Sequence, residues 1–174
     1  MSSVVSNGVA VFLIWLFAGA ALHKVRAPQY YQRLISSWLA IIPDSRVLLW
    51  LVVLAEFGVV ALLLLPGARP VGFGGAGALL LVYAAVMGWQ YKMGQGEQTC
   101  GCAGPSSPLR VGPVLVARNL LCAGLAMLSP TLGCSLPENL VTAALALLAG
   151  VTLVSLYSLS DQMLASAQAM DEDI

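Results

Sequence analysis

The sequence predicts an all-α integral membrane protein of five transmembrane helices, a four-helix-bundle-like core plus a fifth span, with a short interfacial helix between the first two. Three observations carry that expectation. Of 174 residues, 59% are hydrophobic and only 9% charged, too few polar side chains to coat a water-soluble globule of this size. The apolar residues fall into five runs, each long enough to cross a hydrocarbon core of about 30 Å at about 1.5 Å per residue. The longest polar interruption after the first loop, Lys92 to Val111, holds two of the four cysteines one residue apart, as Cys100-Gly101-Cys102.

The runs are about residues 4–22, 47–65, 72–91, 112–128 and 140–159, in one domain covering 1–174. Punctuation separates them: His23-Lys24-Val25-Arg26, then Pro66-Gly67, then Gly94-Gln95-Gly96, then Ser129-Pro130. The first run has a small-residue stretch, Ala18-Gly19-Ala20, but no Lys or Arg precedes it and it is longer than a signal-peptide core, so it reads as retained. Small residues four apart, Gly74 with Ala78 and Ala146 with Gly150, suggest places where helices approach closely. Between the first two runs, residues 28–43 interleave Tyr30, Tyr31, Leu34, Ile35, Trp38 and Leu39 with polar residues at helical spacing. That segment is either a membrane-hugging connector or a lid over the site.

Net charge is zero and no basic run occurs, so nothing points to nucleic acid. The partner common to every residue pattern here is the lipid bilayer. Five spans place the 23–46 segment, the Cys-Gly-Cys loop and the C-terminal tail on one side of the membrane, called side A. The N-terminus, the 66–71 turn and the 129–139 loop with Cys134 lie on side B.

A disulfide between residues two apart closes a very small ring far from relaxed geometry, which makes it easily reduced and therefore oxidising. Gly101 lets the backbone bend, and Gly104-Pro105 turns the chain toward the fourth run. Thiol exchange is one reading of Cys100 and Cys102. A half-site for a soft ion such as Cu, Zn or Hg is a second, with only His23 available as imidazole, and inert loop thiols are a third. Cys122 reads as a buried thiol packing as a small hydrophobe.

Ionisable residues inside the runs are costly, at about 2.5–3.5 kcal/mol each on insertion scales. Glu56 lies about 14 Å below Val47 and Arg118 about 9 Å below Gly112, both measured from side A at the helical rise. Those depths predict an ion pair between them, with Asn119 beside it. The pair reads either as a structural lock or as a functional cluster in which Arg118 favours a thiolate or holds a polar headgroup and Glu56 and His23 handle protons.

Ala21-Leu22-His23-Lys24, Leu54-Ala55-Glu56, Cys100-Gly101-Cys102 with Ala103-Gly104, and Val116-Ala117-Arg118-Asn119 together resemble the MauE group of the DoxX-like membrane proteins, from the first span through the fourth. Ala103 departs from that pattern, which usually has phenylalanine there. The resemblance implies a redox-associated protein of the bacterial inner membrane, an oxidoreductase acting with a thioredoxin-like partner in disulfide formation of exported proteins. Its exchanging pair would be Cys100 and Cys102, with Arg118, Glu56 and His23 as further catalytic candidates. A quinone is a candidate electron carrier, with Arg118 and Asn119 at its headgroup. A soft-metal carrier and a non-catalytic membrane chaperone are the alternatives.

The side of the membrane is contested by two arguments. Side A collects Lys24, Arg26, Arg33, Arg46, Lys92 and Arg110 against Arg69 alone on side B, which by the positive-inside rule makes side A cytoplasmic. Disulfide formation in exported proteins needs the cysteines outside the reducing cytosol. The resemblance favours the second, a periplasmic Cys-Gly-Cys loop.

Overall fold

The computed structural model describes residues 2–38, 44–94, 109–133, 137 and 139–172. Cys100, Cys102, Ala103, Cys134 and the end of the 28–43 segment lie outside those residues. The described chain forms six α-helices: α1 (Ser2–Arg26), α2 (Pro28–Trp38), α3 (Ser45–Leu64), α4 (Arg69–Lys92), α5 (Pro113–Leu128) and α6 (Leu140–Glu172). Five of them are long and apolar enough to span a membrane, and α2 is the short connector.

Helix ends follow local chemistry. His23, Lys24 and Arg26 occupy the last turn of α1, where cations complement exposed carbonyls, and Pro28 then opens α2. Asp44 caps α3, its carboxylate accepting from the Arg46 and Val47 amides at 3.2 and 3.4 Å. Proline stands in the first turns of α4 and α5, where a missing N–H is harmless. On side B, Arg69 donates to the Leu63 carbonyl at the end of α3 (3.0 Å) and to Asn7 of α1 (2.6 Å), closing that end of the bundle.

α6 extends well past the apolar run ending at Leu159. Residues 160–172 contain no glycine or proline and are rich in Ala, Gln and Met, so the helix continues by propensity after the membrane-spanning part ends.

α1 packs against α6 and α3, α4 against α3 and α5, and α2 lies against α3. The core is a stack of buried apolar side chains from α1, α3, α4 and α5, including Phe12, Leu13, Phe17, Val59, Leu63, Phe73 and Leu80, with Cys122 among them. Cys122 is a free, buried thiol, as its position predicts.

Of the two small-residue pairs, only one works inside the bundle. A side chain on Gly150 would meet Val11 at 2.6 Å and one on Gly8 would meet Ala149 at 2.8 Å, so Ala146 and Gly150 sit at the α1–α6 crossing. Gly74 and Ala78 instead face outward. Gly72 and Gly77 take that role on α4, pressed against Leu63 and Met127. Spacing marks a small-residue face without saying which face is inside.

Candidate functional site

Glu56 is completely buried, about 16 Å along α3 from Ser45. Its Oε1 accepts from Lys24 Nζ at 2.7 Å and from the Tyr83 hydroxyl at 2.6 Å. Lys24 sits near the end of α1, and its flexible stem carries the ammonium down to the carboxylate. Two rings flank that ammonium, Tyr31 of α2 at 5.6 Å and Tyr83 of α4 at 5.7 Å. Four helices therefore converge on one buried charge pair, α1 with the cation, α3 with the anion, and α2 and α4 with aromatic walls.

α2 earns its place through Tyr31, which is 3% exposed and packs with Leu49 and Val53 of α3. The interfacial helix thus covers the Lys24–Glu56 pair. Glu56 Oε2, by contrast, has no hydrogen-bond partner among the described residues. A carboxylate kept only as a helix lock would be expected to satisfy both oxygens, because each unpaired acceptor in low dielectric is costly.

The expected Glu56–Arg118 pair does not form. Arg118 Nη1 instead donates to Asp161 of α6, and the guanidinium stacks over the Tyr157 ring at 4.2 Å. The depth argument was sound for each residue, but depth carries no information about direction around the helix. α3 faces α1 and α4, whereas Arg118 points from α5 toward α6. Asn119, the next residue, is turned by about 100° and faces α4, its amide donating to the Leu115 carbonyl at 3.2 Å and lying 3.9 Å from Met87 Sδ. Arg118 and Asn119 therefore do not converge on one headgroup, although Arg118 Nε remains buried without a partner among the described residues.

His23 is half-buried, and its imidazole takes no hydrogen bond or ion pair among the described residues. The residue that reaches Glu56 is its neighbour Lys24. The sequence marks Lys24 as a side A cation and Tyr31 as part of the interfacial segment, and gives no site role to either, nor to Tyr83 or Asp161. A usable signal existed for Asp161: it is an acid at the side A end of the last span, four residues after a tyrosine, opposite an arginine needing a counter-charge.

The cysteine loop departs from and returns to this same end. Gly94, at φ +75°, is the last described residue before it. On the return, Leu109 and Val111 are buried against Met87, Leu115, Leu164 and Ala165. The Arg110 backbone is gripped by Gln168 of α6 in both directions, its N–H donating to Oε1 at 2.9 Å and its carbonyl accepting from Nε2 at 3.3 Å. Tyr157, Asp161, Leu164, Ala165 and Gln168 thus lie on one face of α6, whose side chains reach Arg118 and Leu115 of α5 and the loop's downstream leg.

With this geometry in view, the family described as methylamine utilisation protein MauE matches residues 2–132, three quarters of the chain. The chain belongs to the MauE family. It is 34% identical over 163 residues to methylamine utilization protein MauE of Paracoccus denitrificans, covering 91% of this chain and 86% of that protein. To the protein of the same description from Methylorubrum extorquens it is 32% identical over 167 residues, covering 90% and 86%. No solved structure matches. The family match takes in Lys24, Glu56, Tyr83, Arg118 and Asn119 and ends before α6, whereas the alignments to the two relatives, at 91% and 90% of this chain, extend into α6.

Proposed function

We propose that this chain is a thiol–disulfide redox protein of the bacterial inner membrane that serves methylamine utilisation. In this reading Cys100 and Cys102 exchange with a thioredoxin-like partner and support disulfide formation in exported proteins. The observation that carries it is the buried Glu56 carboxylate, held through one oxygen by Lys24 and Tyr83, in the half of the bilayer from which the Cys-Gly-Cys loop is hung. Oxidising two thiols to a disulfide releases two electrons and two protons, and a lipid-soluble quinone takes up two of each on becoming the quinol, so the exchange balances when a buried group passes the protons between the two. Glu56 is positioned to relay them one at a time. Arg118 Nε is the donor left for a headgroup carbonyl.

The loop faces the periplasm in this reading. Positive-inside counting places it in the cytoplasm, but one of the six side A cations, Lys24, is not a free surface charge: it is spent on Glu56 within the bundle, which trims the charge bias that opposes a periplasmic loop.

Replacing Cys100 or Cys102 with serine is expected to abolish disulfide transfer to a purified thioredoxin-like acceptor while the helical circular-dichroism spectrum stays unchanged. One single replacement should trap a mixed disulfide that the double replacement cannot form. Wild-type transfer rates in the double variant would refute the assignment.

A further inference from the structure

Gln90 is the most anomalous polar residue in the bundle. It is 2% exposed, and neither its amide nitrogen nor its amide oxygen has a partner among the described residues. It shares one face of α4 with Tyr83 and Met87, at spacings of seven and three residues. That face meets α5 through the contact between Met87 Sδ and Asn119 and through the packing of Met87 on Leu115. Below, Tyr83 donates to Glu56, whose second oxygen is likewise unpartnered among the described residues. Polar groups therefore recur along the α4–α5 seam, from Glu56 and Tyr83 past Asn119 at Met87 to Gln90, which lies about 10 Å along α4 from Tyr83. Gln90 lies four residues before Gly94, where the cysteine loop departs.

We propose that this α4–α5 seam holds water and carries protons between the Glu56 carboxylate and the side A surface beside the cysteine loop. Charge selects the occupant. An anion would be repelled by Glu56, and a cation would compete with the Lys24 ammonium already 2.7 Å from the carboxylate. A small neutral species that both donates and accepts fits an amide offering one donor and one acceptor and a carboxylate oxygen offering an acceptor. The proposal rests on the reading of Glu56 as the proton acceptor in thiol oxidation, but it is tested without the thiols.

The discriminating variant is Gln90→Leu, which keeps volume and removes both polar atoms. Leucine keeps the packing but not the polar hand-off, so the fold should persist while proton passage is lost. The expected result is a slowing, by about tenfold or more, of deuterium exchange at the Tyr83 hydroxyl, with the helical circular-dichroism spectrum unchanged. That exchange is read by infrared difference against Tyr83→Phe in reconstituted protein. Gln90→Asn, which keeps the amide, should restore the exchange. Unchanged exchange in folded Gln90→Leu, or exchange that stays slow in Gln90→Asn, overturns the proposal. If exchange slows as stated while disulfide transfer keeps its wild-type rate, the seam stands and the role of Glu56 in thiol oxidation falls.

Discussion

Lys24→Met is expected to destabilise the bundle by about 3–5 kcal/mol, because it leaves the Glu56 carboxylate buried without its cation. The geometry sets the sign: Glu56 is fully buried, Lys24 is its only cation among the described residues, and the pair closes at 2.7 Å. Replacing both partners, as Lys24→Met with Glu56→Leu, should recover most of that loss, since a buried ion pair and an apolar pair of similar volume are often near equal in stability. Unfolding of the purified protein in mixed micelles, followed by circular dichroism, gives the four corners of the cycle. Equal midpoints for wild type and the single variant would mean that Glu56 is held by other groups. A double variant that is stable but inactive would separate the pair's chemistry from its role in packing.

Gly150→Leu is expected to split α6 from α1. A Cβ at this position already falls 2.6 Å from Val11 Cγ1 and 3.1 Å from the Gly8 carbonyl, so helix axes rather than side-chain tips must move apart. Overpacking of this kind costs about 1–3 kcal/mol or more, and here it also pulls on the α6 face that holds Arg118 and Arg110. The measurable signature is a lower unfolding midpoint combined with faster protease cleavage at the side A end of α6. Gly74→Leu, on the outward face of α4, serves as the control and should leave both unchanged.

Much of this architecture is legible in the sequence, since apolar run length fixes the spans and the Tyr/Trp-rich 28–43 segment marks α2. The costly residues Glu56 and Arg118 are legible for the same reason: a bilayer makes a charge conspicuous. Their partners are not. Pairing depends on helix order and rotation, and nothing in a single chain distinguishes α1 from α5 as the neighbour of α3. Lys24 was hidden because a long stem lets a residue at the membrane surface act deep inside it, and Asp161 because it follows the apolar run rather than interrupting it. Gln90 gave no signal at all, since one glutamine near a helix end usually faces water.

Two structural consequences follow from the wiring observed. The charges that four helices must cooperate to bury are concentrated midway along α3 and α4. The last span, α6, is the one that fastens Arg118 and the return leg of the cysteine loop. The core thus supplies the buried carboxylate, and α6 secures the approach to it.

The central claim is that Cys100 and Cys102 cycle between dithiol and disulfide on the periplasmic side. Labelling of intact cells with a membrane-impermeant maleimide, with and without prior treatment by an impermeant phosphine, tests compartment and redox state together. The account predicts no labelling of either cysteine before reduction and labelling of both after it, in unbroken cells. Labelling that requires cell lysis, or free thiols at both positions without reductant, would contradict it.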